Sequence, residues 1–249
     1  MIISIVAQKG GVGKTTTAYN LASGLQVLYK KKTLLVDMDA QRNSSYIGKA
    51  FDVEKSIYQV LLNQENVNNV ILSREELDLL PSSKEMSSLD LTLIKTGKEY
   101  QLKKVLKEIQ KEYDYIIIDT PPSLGISTVN ALTASDKVII VSQADMFSLI
   151  GIDDLKSNIE DIKEYTNPNL EIIGILLTRF SNRAILSKDM KNNIENMAKT
   201  FGTKVFKTKI RENISIKESQ ALQQSIFYYD PKSNGGIDYK DFIEEVVNG

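Results

Sequence analysis

The run Gln8-Lys9-Gly10-Gly11-Val12-Gly13-Lys14-Thr15-Thr16 carries the residue types that hold a polyphosphate. It stands between an apolar run, Ile2 to Val6, and a segment whose apolar residues Ala18, Leu21, Ala22, Leu25 and Leu28 recur at helical spacing. The expected local structure is therefore strand, loop, helix. In that turn successive backbone N–H groups and the positive end of a helix converge on one spot, which suits bound phosphate. Gly10, Gly11 and Gly13 let the backbone approach closely and take positive φ where required. Lys14 is placed to reach the β and γ phosphates, and the Thr15 hydroxyl to ligate Mg²⁺. Val12 and Thr16 complete the nucleotide-binding loop. The general pattern asks for glycine five residues before Gly13, where this chain has Gln8; it carries instead a second lysine, Lys9, ahead of the glycines.

A phosphate loop with Mg²⁺ calls for an acid at the end of a neighbouring strand, and Ile116-Ile117-Ile118-Asp119-Thr120-Pro121-Pro122 supplies Asp119. A second apolar run ends in Leu35-Val36-Asp37-Met38-Asp39, bringing two further carboxylates. The chain has no histidine, so the attacking water must be handled by a carboxylate, by the substrate's own phosphate or by backbone groups. Asp39 is the candidate for orienting that water, and Asp37 for supporting the water shell of a metal held by Thr15 and Asp119. With no cysteine either, disulfides, thiolate metal sites and iron–sulfur ligation are excluded.

Such a site needs a scaffold that ends several strands side by side. Short runs rich in Ile and Val alternate with helical segments, the pattern of βαβ units. Strands are predicted at Ile2 to Val6, Thr33 to Val36, Tyr115 to Ile118, Val138 to Val141 and Ile172 to Leu177, with a further one near Leu77 to Leu80 inside a polar stretch. Helices are predicted on the stripes Leu102 to Tyr113, Ile152 to Ile162 and Tyr239 to Val247. The fold class is α/β, a mostly parallel central sheet flanked by helices on both faces, in a single domain over residues 1–249. A first strand starting at residue 2 leaves no room for an N-terminal helix-turn-helix extension. The formal charge of −1, from 31 basic and 32 acidic residues, means that any nucleic-acid binding must come from local patches. No run approaches the ~18 apolar residues of a membrane span, and a cytoplasmic protein is expected.

Together Lys9 to Thr16, Val36-Asp37-Met38-Asp39-Ala40-Gln41, Asp119-Thr120-Pro121-Pro122 and Tyr229-Asp230-Pro231-Lys232-Ser233 resemble the ParA/MinD family of deviant Walker ATPases, most closely its chromosome and plasmid partition branch. The resemblance covers nearly the whole chain. It implies an ATP-dependent sandwich homodimer in which Lys9 crosses to the partner's ATP, so that Lys9, Lys14 and Asp39 form the catalytic set. It implies adenine contacts from Thr178 and from Ile210, Arg211 and Asn213. It also implies non-specific DNA binding by the dimer, nucleoid association, and hydrolysis stimulated by a centromere-binding ParB-type partner. The DNA-binding candidates are Arg183, Lys204, Lys207, Lys209, Arg211 and Lys217. Glu212 and Ser215 stand where the family usually has arginines, and Ile150 where the partition branch often has glutamate. Two alternatives are a membrane-cycling positioning ATPase and a nucleotide-binding regulator with little hydrolysis. Against the first, the last helix carries Asp238, Asp241, Glu244 and Glu245 beside Lys240, so stable membrane association is not expected.

Overall fold

The computed structural model describes residues 1–180 and 185–248. Its strands are β1 (Ile2–Val6), β2 (Thr33–Asp37), β3 (Leu72–Ser73), β4 (Asp78–Leu80), β5 (Tyr115–Asp119), β6 (Lys137–Ser142), β7 (Glu171–Phe180) and β8 (Val205–Arg211). They form one sheet in the order β3-β4-β2-β5-β1-β6-β7-β8, parallel throughout except for the antiparallel edge pair of β3 and β4. The helices are α1 (Lys14–Tyr29), α2 (Asn43–Ile47), α3 (Ile57–Leu61), α4 (Leu89–Thr92), α5 (Gln101–Ile109), α6 (Ile126–Ala134), α7 (Met146–Tyr165), α8 (Ile185–Thr200), α9 (Ile214–Ala221), α10 (Ile226–Tyr229) and α11 (Asn234–Asn248).

A parallel sheet needs crossover helices and so is covered on both faces, and its strands are apolar on both sides. Ile3, Ile5, Leu35, Ile117, Ile139, Val141 and Leu176 pack with α1 and α11, while Leu34, Val36, Ile116 and Ile118 pack towards α3, α5 and α6. Val138, Ile140, Ile175 and Leu177 meet the stripe Ile152, Leu155, Ile159 and Ile162 of α7. Register then sets the site. Ile5 and Asp37 both pair with Asp119, so β1, β2 and β5 stop level with one another and deliver the phosphate loop and two carboxylates to the same end of the sheet.

The predicted strands are present, the one near Leu77 to Leu80 as β4. Nothing in the apolar spacing marked β8, where Lys207 and Lys209 interrupt the run, yet Phe206 and Ile210 on either side of them are buried. Leu28, expected on the buried face of α1, is 40% exposed; the helix closes at Lys30, in the left-handed conformation, and its last turn leaves the core. Tyr239, Phe242, Ile243 and Val246 of α11 are buried against α1 and β8, so the apolar face of that helix is spent inside the domain. Glu245 on the same helix accepts the backbone N–H groups of Lys207 (2.9 Å) and Thr208 (2.6 Å), covering part of an edge strand that would otherwise template pairing with another chain. Among the described residues no helix is long and apolar enough to cross a membrane.

The contact of α1 with α10 and α11 is close enough to require glycine. A Cβ on Gly24 would lie 2.2 Å from Ile243 Cδ1 and 2.6 Å from the Phe227 ring. Overpacking of this kind costs about 1–3 kcal/mol, so Gly24→Val should lower the free energy of urea unfolding by that amount. An unchanged unfolding midpoint would show that this packing is looser than described.

Candidate functional site

The loop after β1 keeps its shape through two glycines. Gly11 (φ 75°) and Gly13 (φ 92°) lie in the left-handed region that side chains disfavour, and α1 begins at Lys14 directly behind Gly13. Thr178 of β7 braces the loop by donating its hydroxyl to the carbonyls of Val12 and Ser142. Val12 itself turns its side chain into the core, 1% exposed, and reaches the site through its backbone alone. Over this turn opens a cavity of about 400 Å³ lined by Lys9, Gly10, Gly11, Gly13, Lys14, Thr15, Thr16 and Asp39, with Gln41, Asn43, Tyr46, Ile47, Pro122 and Gln220 around the rim.

Beneath the loop the charges satisfy one another. Lys14 Nζ donates to Asp119 Oδ1 at 3.3 Å and to the Thr120 carbonyl, and both side chains are buried. The other oxygen of Asp119 accepts the Ser44 hydroxyl at 2.8 Å. Asp37 lies alongside, fully buried. Its Oδ1 accepts the Asp39 N–H at 3.1 Å, and its Oδ2 accepts the N–H (2.8 Å) and hydroxyl (2.7 Å) of Ser45. Burial, and then the neighbouring Asp119 charge, push the Asp37 carboxyl up to about 7 against the opposing hydrogen bonds. Asp37 does not line the cavity. Its hydrogen bonds hold α2 and the segment after β2 against the phosphate loop. Asp39 does line the cavity, accepts the Gln41 N–H at 2.9 Å, and is held above the usual carboxylate range by burial, with Lys14 pulling the other way.

The metal question turns on the donor set. Thr15 and Asp119 supply hard oxygens, and among the described residues no three carboxylates gather to cage an ion. That suits Mg²⁺, which takes one or two protein oxygens and completes its octahedron with water and phosphate.

Lys9 stands at the mouth of the cavity with its side chain 44% exposed and its Nζ 2.9 Å from Asp145 Oδ2. A second cavity of about 190 Å³ adjoins the first and is lined by Thr178, Ile210, Arg211 and Asn213, the four residues expected around adenine, together with Arg179, Glu212, Ile216, Lys217 and Gln220. Of these last five, Lys217 was expected at DNA and Glu212 was noted as a departure from the family, while nothing in the sequence pattern singled out Arg179, Ile216 or Gln220. Arg211 faces away in charge: its guanidinium grips Asp238 at 2.6–3.1 Å. Asn213 caps α9 by accepting the Ser215 N–H at 2.7 Å.

Of the DNA candidates, Lys204, Lys207 and Lys209 follow the edge strand β8, with Lys204 over the Phe206 ring and Lys209 over that of Phe180. Lys217 pairs with Glu212 at 2.9 Å, and Arg211 with Asp238, so the structure compensates both of those charges within the chain. Arg183 lies outside the described residues.

The raised Asp37 carboxyl has a signed consequence for stability. Below about pH 4 it is protonated in folded and unfolded chains alike; between about 4 and about 7 the folded chain holds a proton that the unfolded chain has lost, so this group makes stability fall as pH rises through that window. Asp37→Ala removes the effect. Urea unfolding of the nucleotide-free proteins should show the variant gaining on the wild type between about pH 4 and about pH 7, and a pH-independent difference would contradict it.

Comparison with known proteins gives the family. Residues 1–172 match the family described as an AAA domain. The sporulation initiation inhibitor protein Soj of Bacillus subtilis is 40% identical over 252 residues, covering 99% of this chain and 98% of Soj. The chromosome partitioning protein ParA of Myxococcus xanthus is 38% identical over 251 residues, covering 99% of this chain and 87% of that protein. Among solved structures, cobyrinic acid a,c-diamide synthase from Mycobacterium smegmatis with bound ADP and magnesium has a TM-score of 0.86 at 28% identity, covering 99% of this chain and 94% of that one. With the phosphate loop, the buried Lys14 and Asp119 and the paired lysine Lys9 in place, the chain belongs to the ParA/MinD family of P-loop ATPases, in its partition branch.

Proposed function

We propose that this chain is a ParA-type partition ATPase, in which Mg²⁺-ATP joins two copies face to face, the dimer holds DNA without sequence preference, and hydrolysis releases it. The observation that carries this reading is the division of labour between two lysines. Lys14 is buried and aimed under the loop, where a triphosphate's own charges lie. Lys9 is on the rim, too exposed to serve the same purpose, and suited to a phosphate brought up from outside. Two triphosphates facing each other repel strongly unless cations stand between them, so a lysine given by each copy to the other makes charge neutralisation depend on dimerisation. The exposed pair of Lys9 and Asp145 contributes about 1 kcal/mol or less.

Within each site Thr15 and Asp119 would hold Mg²⁺, which supplies charge neutralisation at the phosphates. Lys14 exchanges Asp119 for the β and γ oxygens. Asp39, buried at the cavity wall and made more basic by that burial, orients the water. Loss of the γ phosphate removes the group that Lys9 bridges, and the copies separate. The stimulating partner is a centromere-binding protein of ParB type, and the cargo a replicon carried on nucleoid DNA.

Two substitutions separate binding from turnover. Asp39→Ala should bind ATP and accumulate as dimer, with turnover reduced by roughly 10²-fold or more; unchanged turnover removes Asp39 from the mechanism. Lys9→Ala should bind ATP yet remain monomeric by light scattering, and an ordinary ATP-dependent dimer would refute the crossing lysine.

DNA binding provides the direct test of function. Affinity for non-specific duplex should require ATP, exceed that with ADP or no nucleotide, and fall steeply with salt. Each phosphate-contacting lysine lost lowers the log–log salt slope by about 0.9, so Lys204→Ala and Lys207→Ala should each show that decrement. DNA affinity indifferent to nucleotide would sink the partition reading.

A further inference from the structure

The two cavities of the nucleotide site share four lining residues: Gly11, Gly13, Thr16 and Gln220. A nucleotide with its phosphates in the larger cavity and its base in the smaller must pass its α-phosphate and sugar between these four. Two are glycines and Thr16 is short, so Gln220 is the one long side chain at the neck. It sits on α9, and its Nε2 donates to Thr16 Oγ1 at 2.6 Å.

That bond has a direction. An amide N–H can only donate, so the Thr16 hydroxyl must be the acceptor and keeps its own proton to give away. Among the described residues that hydroxyl donates to nothing, and Thr16 lies in the first turn of α1, where the phosphates gather. A donor already engaged in accepting is polarised and gives a stronger onward hydrogen bond. The chain Gln220 Nε2–H to Thr16 O–H to a phosphate oxygen therefore runs in the sense that an anion needs.

We propose that Gln220 is a positioning residue of the nucleotide site, fixing the Thr16 hydroxyl with its proton aimed at the α-phosphate and so tying occupancy of the neck to α9. The inference rests on the nucleotide reading of this site and adds to it a residue that lies 204 positions from Thr16. The helix is well placed to report occupancy. Three residues beyond Gln220, Gln223 Nε2 donates to the carbonyl of Tyr46 at 3.0 Å, and Tyr46 belongs to α2, the helix that Asp37 and Asp119 hold through Ser45 and Ser44. The helix and the turn directly after it thus touch Thr16 with one glutamine and the segment after β2 with the next.

A purely structural bond between α9 and α1 would affect stability and every ligand alike, whereas an α-phosphate role is selective. The test compares Mg²⁺-ADP with inorganic tripolyphosphate, which has no sugar or base, by calorimetry on the full chain. Gln220→Met keeps the size and removes the donor. It should weaken ADP by roughly tenfold, the effect of one hydrogen bond to a charged group, while tripolyphosphate, free to slide away from the neck, changes by less than about twofold. Gln220→Glu, of the same size, turns the Thr16 proton away and adds a negative charge. It should weaken ADP further, and it answers the same question should the Met variant unfold. In the double variant with Thr16→Val, Gln220→Met should cost little more, because its effect passes through that hydroxyl. ADP affinity unchanged in both Gln220 variants, or equal losses for ADP and tripolyphosphate, would overturn the proposal while leaving the nucleotide site standing. Wild-type protein that binds ADP no better than Lys14→Ala would instead remove the nucleotide reading, and this inference with it.

Discussion

Two carboxylates lie side by side at the ends of β2 and β5, both without solvent contact, and a single lysine stands among them. Asp37 and Asp119 are register partners, so the sheet itself forces them together. Leaving a buried charge uncompensated costs several kcal/mol, and much of the surrounding structure reads as the answer to that cost. Lys14 pairs with Asp119, Ser44 donates to it, and Ser45 donates twice to Asp37. The residual strain appears as the raised Asp37 carboxyl. In the proposed complex, Mg²⁺ held by Asp119 and phosphate oxygens at Lys14 would relieve the same imbalance from the other side, each replacing an interaction of like kind.

The same economy explains why the segment after β2 can respond to nucleotide. It is held by hydrogen bonds to Asp119, the carboxylate proposed to meet the metal, through Ser44, and to its register partner Asp37 through Ser45 and the Asp39 N–H, with Met38 N–H donating to the Asp119 carbonyl at 2.9 Å. A change in what Asp119 binds is felt at Ser44, one residue from Ser45 and two from Tyr46. Asp39, the proposed water-orienting group, is part of this segment, so its position depends on the same anchors. In a chain without histidine the acceptor of the water's proton has to be such a carboxylate or the phosphate itself, and burial is what brings Asp39 towards that work.

Much of this was legible in the sequence because parallel strands are short, apolar on both faces and followed at once by their functional residues. β1, β2 and β5 and the loop at Lys9 to Thr16 announce themselves this way, and Asp39 and Asp119 follow from strand ends. The adenine-side expectation at Thr178, Ile210, Arg211 and Asn213 came from resemblance, and these residues line one cavity. What the sequence hid depends on contacts between distant parts. Asp37 has the same local setting as Asp39, and only register shows that one is sealed under the sheet while the other faces the cavity. β8 is an edge strand whose outward residues are lysines, so its apolar signal is halved. Gln220 has no local pattern at all; its significance comes from Thr16.

The departures at Glu212 and Ser215 take on a different meaning once the neighbours are visible. Where the partition branch usually places an arginine, Glu212 is clasped by Arg179 (3.0 and 3.2 Å) and Lys217 (2.9 Å), and these two cations hold its carboxyl down at about 2. The cluster of two cations and one anion keeps a net positive charge. Its members are about half exposed, 47%, 50% and 59%, so each pairing contributes on the order of 1 kcal/mol or less. A nucleic-acid phosphate can therefore compete with Glu212 for Arg179 and Lys217 at little cost. Arg211 is different: Asp238, its partner, is only 8% exposed, so drawing Arg211 away would strand a nearly buried carboxylate. Around Glu212, then, the exposed pairs are readily exchanged, whereas the Arg211–Asp238 pair is held by burial.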